Sequence, residues 1–339
     1  MNKILEQDIR EFTSSLALSE KFTDSTFLIT GATGLIGSTL IRCLLALKLN
    51  IKIIAPIRNR SKAEAMFSDI VDGLRFIECD LLTYDYSIGS VDYIIHCAAP
   101  TSSKFFVDKP VETFEMIVNA TSRLMEYARR RSIKSFVYLS SLEVYGSIND
   151  DSIPVTEDIQ GYLDPTSVRS SYPMAKRATE NLCCLYAAEY GIPVKVVRLT
   201  QTTGAGIAKD DNRVIAQFTR LAAEGKDIEL HTTGEAARPY CYNTDAISAI
   251  LYVLLKGENG QAYNVANEDT YISVRGMAEY LKEYFNPNIN VRIVLNDNMG
   301  YAPVTKQRLS SEKLRLLGWK PKYDLKDILV KLTDYLKES

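Results

Sequence analysis

The fold is decided by the stretch Thr30-Gly31-Ala32-Thr33-Gly34-Leu35-Ile36-Gly37, which joins a β-rich run to a helical run. In such a context Gly31 allows a tight turn, Gly34 lets the backbone approach a pyrophosphate, and Gly37 lets the helix pack closely on the strand. The start of the helix presents free N–H groups and a positive dipole end to the phosphates. The stretch therefore predicts a dinucleotide-binding turn; the alternative is a glycine-rich turn without a ligand.

Short apolar runs alternate with helical runs over the first half of the chain. We predict strands at 26–30, 51–57, 74–78, 91–96, 135–140 and 194–199, and helices at 36–47, 61–67, 111–131 and 172–190. Repeated strand–helix–strand units with largely apolar strands are typical of a parallel sheet covered by helices on both faces. The predicted fold class is α/β, with a doubly wound parallel (Rossmann) sheet and a smaller mixed α/β substrate lobe at the C-terminal side.

The chain has 339 residues, enough for about two domains. Residues 1–24 are predicted to form a helical extension, and residues 25–200 to form the dinucleotide-binding domain. After residue 200, polar loops interrupt short helices and strands, so residues 201–339 are assigned to the substrate lobe. Within this part, an apolar helix at 244–256 is predicted to return to the main sheet.

The composition excludes several classes of function. Lys and Arg total 40 against 42 Asp and Glu, so the chain lacks the positive excess typical of nucleic-acid binding. No apolar run is long enough to span a membrane. The six cysteines form no C-x-x-C pair, which predicts reduced thiols and a cytoplasmic protein. Two histidines are too few for a histidine metal site or a Ser-His-Asp triad, so no metal is expected.

The end of the second strand bears on the choice of cofactor. An acidic residue at this place usually accepts the ribose 2′-hydroxyl of NAD. Here Ile57 is followed by Arg58, Asn59 and Arg60, without a carboxylate. Because arginine attracts a 2′-phosphate, the sequence favours NADP(H) over NAD(H). The alternative is that both arginines are ordinary solvated loop charges.

Two segments carry candidate catalytic groups. Tyr172 and Lys176 stand four residues apart at the start of a predicted helix, so both side chains share one face. An ammonium beside a phenol stabilises the phenolate, which predicts a lowered tyrosine pKa. The run 139–146, containing Ser141, ends a strand at the carboxyl edge of the sheet, where open α/β sheets bind ligands. A serine there can share a hydrogen bond with the tyrosine and a substrate oxygen.

These motifs, together with His96-Cys97-Ala98-Ala99 and Asn119, resemble the extended short-chain dehydrogenase/reductases over about residues 26–319. Within them the chain is most similar to the nucleotide-sugar epimerases, dehydratases and decarboxylases. The resemblance implies that Ser141 and Tyr172 contact the oxygen being oxidised or reduced, and that Lys176 holds the nicotinamide ribose.

The same resemblance implies a set of cofactor-binding residues for NADP or NAD. In it Asp80 caps the adenine, while Ala98 and Asn119 line the cofactor and hold the active-site strand. The full set is Gly31, Thr33, Gly34, Leu35, Ile36, Gly37, Arg58, Asp80, Leu81, Ala98, Ala99, Asn119, Tyr172 and Lys176.

The resemblance also implies substrate-binding residues, with departures from the family pattern. Arg213 and Arg238 lie in segments similar to those that clamp the nucleotide, and Arg238 is expected to grip a diphosphate. Gln201 stands where the family usually has a substrate-binding asparagine. Leu142 replaces an acidic residue of the 4,6-dehydratases, whereas Glu143 matches the glutamate of dehydratases and decarboxylases. The alternative for Glu143 is an exposed loop charge.

The expected function is hydride transfer between NAD(P) and a nucleotide-activated sugar, with epimerase or dehydratase-type chemistry. Two alternatives stay open: an NADPH-consuming reductase of a nucleotide-linked keto sugar, and a decarboxylase that uses Glu143. A rival from another class is a non-catalytic NAD(P) sensor, which has no need of Ser141, Tyr172 and Lys176 together.

The helical runs 111–131 and 172–190 carry apolar residues on more than one face. One face can pack on the sheet, and the remainder would be exposed in a monomer. A two-fold homodimer that joins these helices in a four-helix bundle would bury both patches. The alternative is that the substrate lobe or residues 1–24 cover them.

Overall fold

A seven-stranded, entirely parallel sheet forms the centre of the protein. The computed structural model describes residues 1–296 and 304–338. In spatial order the sheet consists of β10 (Ala262–Val265), β6 (Val194–Leu199), β5 (Ser135–Ser141), β4 (Tyr93–His96), β1 (Thr26–Thr30), β2 (Lys52–Ile57) and β3 (Leu74–Glu78). The predicted doubly wound parallel sheet is thereby confirmed.

The helices occur in the following order along the chain. They are α1 (Lys3–Ser15), α2 (Leu35–Ala46), α3 (Arg60–Met66), α4 (Ser103–Asp108), α5 (Pro110–Arg129), α6 (Ser171–Tyr190), α7 (Val214–Ala223), α8 (Asn243–Lys256), α9 (Val274–Tyr284), α10 (Glu312–Leu316) and α11 (Leu325–Glu338). Short 3₁₀ turns cover Ser19–Phe22, Leu142–Tyr145 and Val168–Ser170. The sequence did not predict α4, a short helix that directly precedes the long helix α5.

Both faces of the sheet are covered by helices. Successive side chains of a strand point to opposite faces, so alternate residues of each strand are buried on different sides. In β1, Phe27 and Ile29 are buried in one core cluster with residues of α2 and α8, such as Leu40 and Ile250. Leu28 is buried in another cluster with residues of α5 and α6. This double burial explains why the strands read as continuous apolar runs.

The seventh strand comes from a part of the chain that the sequence analysis assigned to the substrate lobe. Residues 262–265 form β10 and pair in parallel with β6. Helix α8, predicted at 244–256 as a return to the main sheet, packs against β5 and β6. The chain therefore contributes one more strand to the main sheet after residue 200, and this strand is β10.

The smaller part of the molecule is mixed in structure. One sheet contains β11 (Asn267–Ser273), β9 (Ala237–Tyr242) and β7 (Gln201–Thr203), and another pairs β12 (Val291–Ile293) with β8 (Ile228–Leu230). Its core joins residues of α7, α9 and α11. Of the predicted lobe 201–339, residues 297–303 and 339 lie outside the part that the structure describes.

The N-terminal extension forms α1, which begins with Asn2 as a side-chain cap on the N–H of Ile4. Helix α1 packs against α2, α8 and α11. Its buried Asp8 accepts hydrogen bonds from Tyr242 and from Lys331, the latter at 2.9 Å. The extension thus connects the dinucleotide-binding part with the last helix of the chain.

Two absences hold for the described residues. In that part of the chain, no helix has the length and apolar character that a bilayer span requires. The same residues contain no group of three or more His, Cys, Asp or Glu side chains able to hold a metal ion. All six cysteines are free thiols, as expected from the sequence.

Candidate active site

The glycine-rich turn is folded tightly against the end of β4. Gly31 has φ +71°, and a Cβ on it would lie 2.8 Å from the backbone N of Ala98. A Cβ on Gly37 would lie 2.2 Å from the carbonyl oxygen of Gly31. Gly34 caps α2 without a side-chain hydrogen bond and is exposed, so no capping side chain occupies the start of the helix. This arrangement fits a dinucleotide pyrophosphate.

A buried histidine fastens the turn to its neighbours. His96 contacts Thr30 Oγ1 through Nδ1 at 2.6 Å and Thr121 Oγ1 through Nε2 at 3.0 Å. Thr30 Oγ1 also accepts the backbone N–H of Ala98. Burial and the positive charge of Lys176 together lower the pKa of His96 to about 3. His96 therefore acts in this structure as a buried, hydrogen-bonded residue that holds the turn.

The predicted residues for the adenosine end lie along the carboxyl edge of the sheet. Arg58 follows β2 and is exposed, while Arg60 pairs with Glu64 at 3.3 Å and with Glu78 at 3.5 Å. Asp80 follows β3 and accepts the N–H of Leu82. The remaining predicted residues are partly buried at this edge: Thr33, Leu35, Ile36, Leu81, Ala98 and Ala99.

Asn119 lies on α5 with its side chain exposed. Ile117 and Thr121 on the same helix are buried. The role that the resemblance implies for Asn119, lining the cofactor and holding the active-site strand, stays a prediction.

Ser141, Tyr172 and Lys176 are brought together. Ser141 ends β5, while Tyr172 and Lys176 lie in the first turns of α6. The Ser141 side chain lies near Tyr172 and acts to lower the pKa of the tyrosine. The buried Lys176 donates from Nζ to the carbonyl oxygen of Leu139 at 2.7 Å, and its Nζ lies 5.7 Å from the centre of the Tyr172 ring. The structure thus places the side chains of Ser141, Tyr172 and Lys176 close together.

The predicted lowering of the tyrosine pKa is wrong for this structure. Burial raises the pKa of Tyr172, and the negative charge of Glu143 raises it further, against the hydrogen bond with Ser141. The Lys176 ammonium donates to a backbone carbonyl instead of the phenol, so it does not offset the burial. Burial lowers the pKa of Lys176 itself to about 8, against the charge of Glu180.

Two site residues were missed by the sequence analysis. Arg169 forms an ion pair with Glu143, with NH1 3.2 Å from Oε2. Phe106, on α4, stacks on Tyr172 with ring centres 4.2 Å apart, and the Arg169 guanidinium lies 5.4 Å from the Phe106 ring. The position of Arg169, three residues before Tyr172, was the available signal. Glu143 is therefore a paired charge in the site, and the exposed-loop alternative does not hold.

The predicted substrate residues differ in their engagement. The Arg213 guanidinium is bound to Asp211, at 2.6 Å for the shortest contact, and to the carbonyl of Thr202 at 2.8 Å. Arg238, on β9, forms no ion pair with any residue that the structure describes and is half-buried. Gln201 begins β7, opposite Tyr240 of β9. Arg238 is thus free to meet an anion, whereas Arg213 holds a loop.

Residues 27–266 match the NAD dependent epimerase/dehydratase family. The chain belongs to this family. The match confirms the predicted family and the prediction of an NAD-dependent enzyme, and it leaves the non-catalytic sensor without support.

Relatives and solved structures agree with this membership. UDP-glucuronic acid decarboxylase 3 of Arabidopsis thaliana is 30% identical over 304 residues, which cover 88% of this chain and 85% of that protein. Decarboxylase 6 of the same plant is 29% identical over 308 residues, with 88% and 85% covered. A UDP-glucose 4-epimerase from Thermotoga maritima superposes with a TM-score of 0.80 at 24% identity, covering 92% and 99% of the two chains. At this identity, the structural match shows the fold alone.

Proposed function

We propose that this family member decarboxylates a nucleotide-activated uronic acid, with UDP-glucuronic acid as the first candidate. The observation that carries the proposal is the Glu143–Arg169 ion pair beside Tyr172. A uronate carboxylate needs a cationic partner, and arginine binds carboxylates in bidentate fashion. Leu142 lacks the second acid of the dehydratases, which speaks against loss of water. The decarboxylase relatives support the same reaction.

The glycine turn would hold the pyrophosphate of the cofactor, and Lys176 its nicotinamide ribose. When bound, the nicotinamide supplies reversible acceptance of a hydride from the sugar carbon that carries the reacting hydroxyl. The chain supplies the accompanying proton transfer: the phenolate form of Tyr172 takes the hydroxyl proton and becomes the phenol, while Ser141 hydrogen-bonds the same oxygen.

Arg169 and Glu143 would act on the neighbouring carboxylate. A ketone one carbon away lets the carbon–carboxylate bond break, because its electron pair is delocalised onto the ketone oxygen as carbon dioxide leaves. Arg169 holds the carboxylate until this step, and Glu143 relays a proton to the carbon left behind. Tyr172 then returns its proton to the sugar oxygen as the carbonyl is reduced again.

The test is incubation of the protein with UDP-glucuronic acid and either NAD or NADP, with the product identified by NMR. A UDP-pentose with released carbon dioxide is expected. Inversion of one hydroxyl with the carboxylate retained would replace the proposal by an epimerase. No turnover of this substrate would contradict it, and a panel of UDP-, CDP-, GDP- and dTDP-sugars would then identify the nucleotide and sugar.

We assign binding of the nucleotide sugar to the part of the chain after residue 200. Arg238 supports this assignment because its guanidinium has no ion-pair partner among the described residues. Gln201 starts the strand beside it, and Arg213 anchors the loop that follows β7. We propose three parts of the chain. They are the extension 1–24, the dinucleotide-binding part 25–200 with 244–256 and β10, and the substrate lobe formed by the rest of 201–339.

We also propose a preference for NADP(H), which favours the NADPH-consuming reductase as a second candidate function. Arg58 is exposed at the end of β2, whereas Arg60 is already paired with Glu64 and Glu78. We expect Arg58→Ala to reduce the preference by roughly 1–3 kcal/mol, typical of a charge-assisted hydrogen bond. Calorimetric titration with both cofactors measures it, and Arg60→Ala is the matched control. Equal affinities in the wild type would remove the preference.

We propose a homodimer built on α5 and α6. Four apolar residues remain exposed there: Val111 at 63%, Phe114 at 40%, Leu185 at 53% and Tyr190 at 46%. Several other residues behind this expectation, such as Leu124 and Cys183, are buried within the subunit, so the patch is narrower than the sequence indicated.

Light scattering at micromolar concentration is expected to give about twice 38.1 kDa. Leu185→Glu should yield monomers, because it places a charge in the bundle. Leu316→Glu is the control, since Leu316 is 82% exposed on α10. A monomeric wild type would contradict the proposal.

A cytoplasmic location is a further proposal. It is supported by the six cysteines, all of them free thiols, since proteins of oxidising compartments commonly form disulfides.

A further inference from the structure

We propose that Glu180 and Arg198 form a buried clamp that holds the two catalytic segments in register. One segment is α6, which carries Tyr172 and Lys176. The other is the end of β5 with the turn Leu142–Tyr145, which carries Ser141 and Glu143. Neither Glu180 nor Arg198 is placed to touch the substrate, so both are positioning residues. The inference rests on the catalytic roles proposed above.

The clamp grips α6 through Glu180. This residue is buried one turn after Lys176 on the same helix face. Arg198, buried on β6, donates from Nε to both carboxylate oxygens at 3.1 Å and from NH2 to Oε2 at 2.7 Å. Such a bidentate contact fixes both the distance and the angle between the strand and the helix.

The same guanidinium grips the other segment through Tyr145. Arg198 NH1 donates to the Tyr145 hydroxyl at 2.9 Å, and this hydroxyl donates to Asn264 Oδ1 at 2.6 Å. The guanidinium also lies over the Tyr145 ring, with Cζ 5.0 Å from its centre. Tyr145 ends the turn that begins directly after Ser141. One buried cation therefore ties α6 to the serine and glutamate of the site.

Glu180 also acts electrostatically on Lys176. Its negative charge raises the pKa of Lys176, which burial lowers to about 8. Other titratable groups face or lie near the ammonium: Cys97, Cys183, His96, Tyr138 and Tyr172. Glu180 is the carboxylate in this set of titratable groups around Lys176. Its removal should make Lys176 lose its proton at lower pH.

The test compares Glu180→Gln with Glu189→Gln, a control glutamate that is exposed on the same helix. NADH affinity is measured by fluorescence across the neutral and alkaline range, because Lys176 is assigned to the nicotinamide ribose. In Glu180→Gln we expect the alkaline loss of affinity to begin at a pH lower by on the order of one unit. If Glu180 only supported the fold, its loss would weaken NADH binding at every pH. The pH at which the affinity falls on the alkaline side would then stay the same. A curve of unchanged midpoint would overturn the proposal.

A second variant tests the geometry alone. Tyr145→Phe removes one oxygen and no charge, and it should speed amide hydrogen exchange over residues 141–146. Unchanged exchange would overturn the clamp, and this result decides the matter if Glu180→Gln does not fold. Both measurements are independent of the sugar. If UDP-glucuronic acid is not turned over, the proposed function fails while the clamp is still tested.

Discussion

Replacing Tyr172 by phenylalanine is expected to lower turnover by roughly 10²–10⁴ while cofactor binding is kept. Tyr172 is the proposed proton-transfer group, since its phenolate can take a proton from a substrate hydroxyl and its phenol can return it beside Ser141. Phenylalanine retains the stacking on Phe106, whose ring lies parallel to Tyr172 within 10°. The loss should therefore fall on proton transfer and leave the fold intact.

Steady-state turnover and NADH titration together check this expectation. Tyr186→Phe on the same helix is the matched control, because the Tyr186 ring packs against Tyr190, 5.4 Å between ring centres, away from Ser141 and Lys176. If Tyr172→Phe retained turnover within a few-fold of the wild type, another group would have to move the proton.

Gly37→Ala is expected to disturb both cofactor binding and stability. The added Cβ would lie 2.2 Å from the carbonyl oxygen of Gly31 and 2.8 Å from its carbonyl carbon. Both atoms belong to the backbone of the turn, so the turn must shift away from α2. Overpacking of this kind costs roughly 1–3 kcal/mol. Thermal unfolding and NADH titration measure the two effects.

Gly34→Ala separates the two effects of the turn. A Cβ on Gly34 meets only the Gly31 carbonyl oxygen, at 3.4 Å, so stability should be nearly unchanged. The methyl group would instead stand where a pyrophosphate approaches the start of α2, so cofactor affinity should fall. A Gly34→Ala protein that binds NADH normally would show that phosphates do not approach here.

The positions of the first six strands along the chain were accessible from the sequence because each is a short apolar run. Strand β10 was not, because residues 262–265 form a brief run beyond a region of polar loops. Its place beside β6 is set by long-range pairing, which local patterns do not encode. The short α4 was missed for a related reason: a helix of this length has little periodicity.

The spacing of Tyr172 and Lys176 and the strand end at Ser141 were sufficient to predict that these three side chains lie close together. The charges around them could not be predicted, since pairing of Glu143 with Arg169 depends on how two loops meet. Burial also reversed the expected direction of the Tyr172 pKa, because desolvation outweighs a cation that is directed elsewhere.

The late position of β10 has a consequence for how the protein folds during synthesis. Until residues 262–265 leave the ribosome, β6 is the outer strand of the sheet, with unpaired N–H and C=O groups. Asn264 belongs to the same strand, and its Oδ1 accepts the hydrogen bond from the Tyr145 hydroxyl. A nascent chain that stalls before this point exposes the unpaired edge of β6, and Tyr145 lacks its hydrogen-bond acceptor. Such an exposed strand edge is a site at which chaperones can bind the incomplete chain.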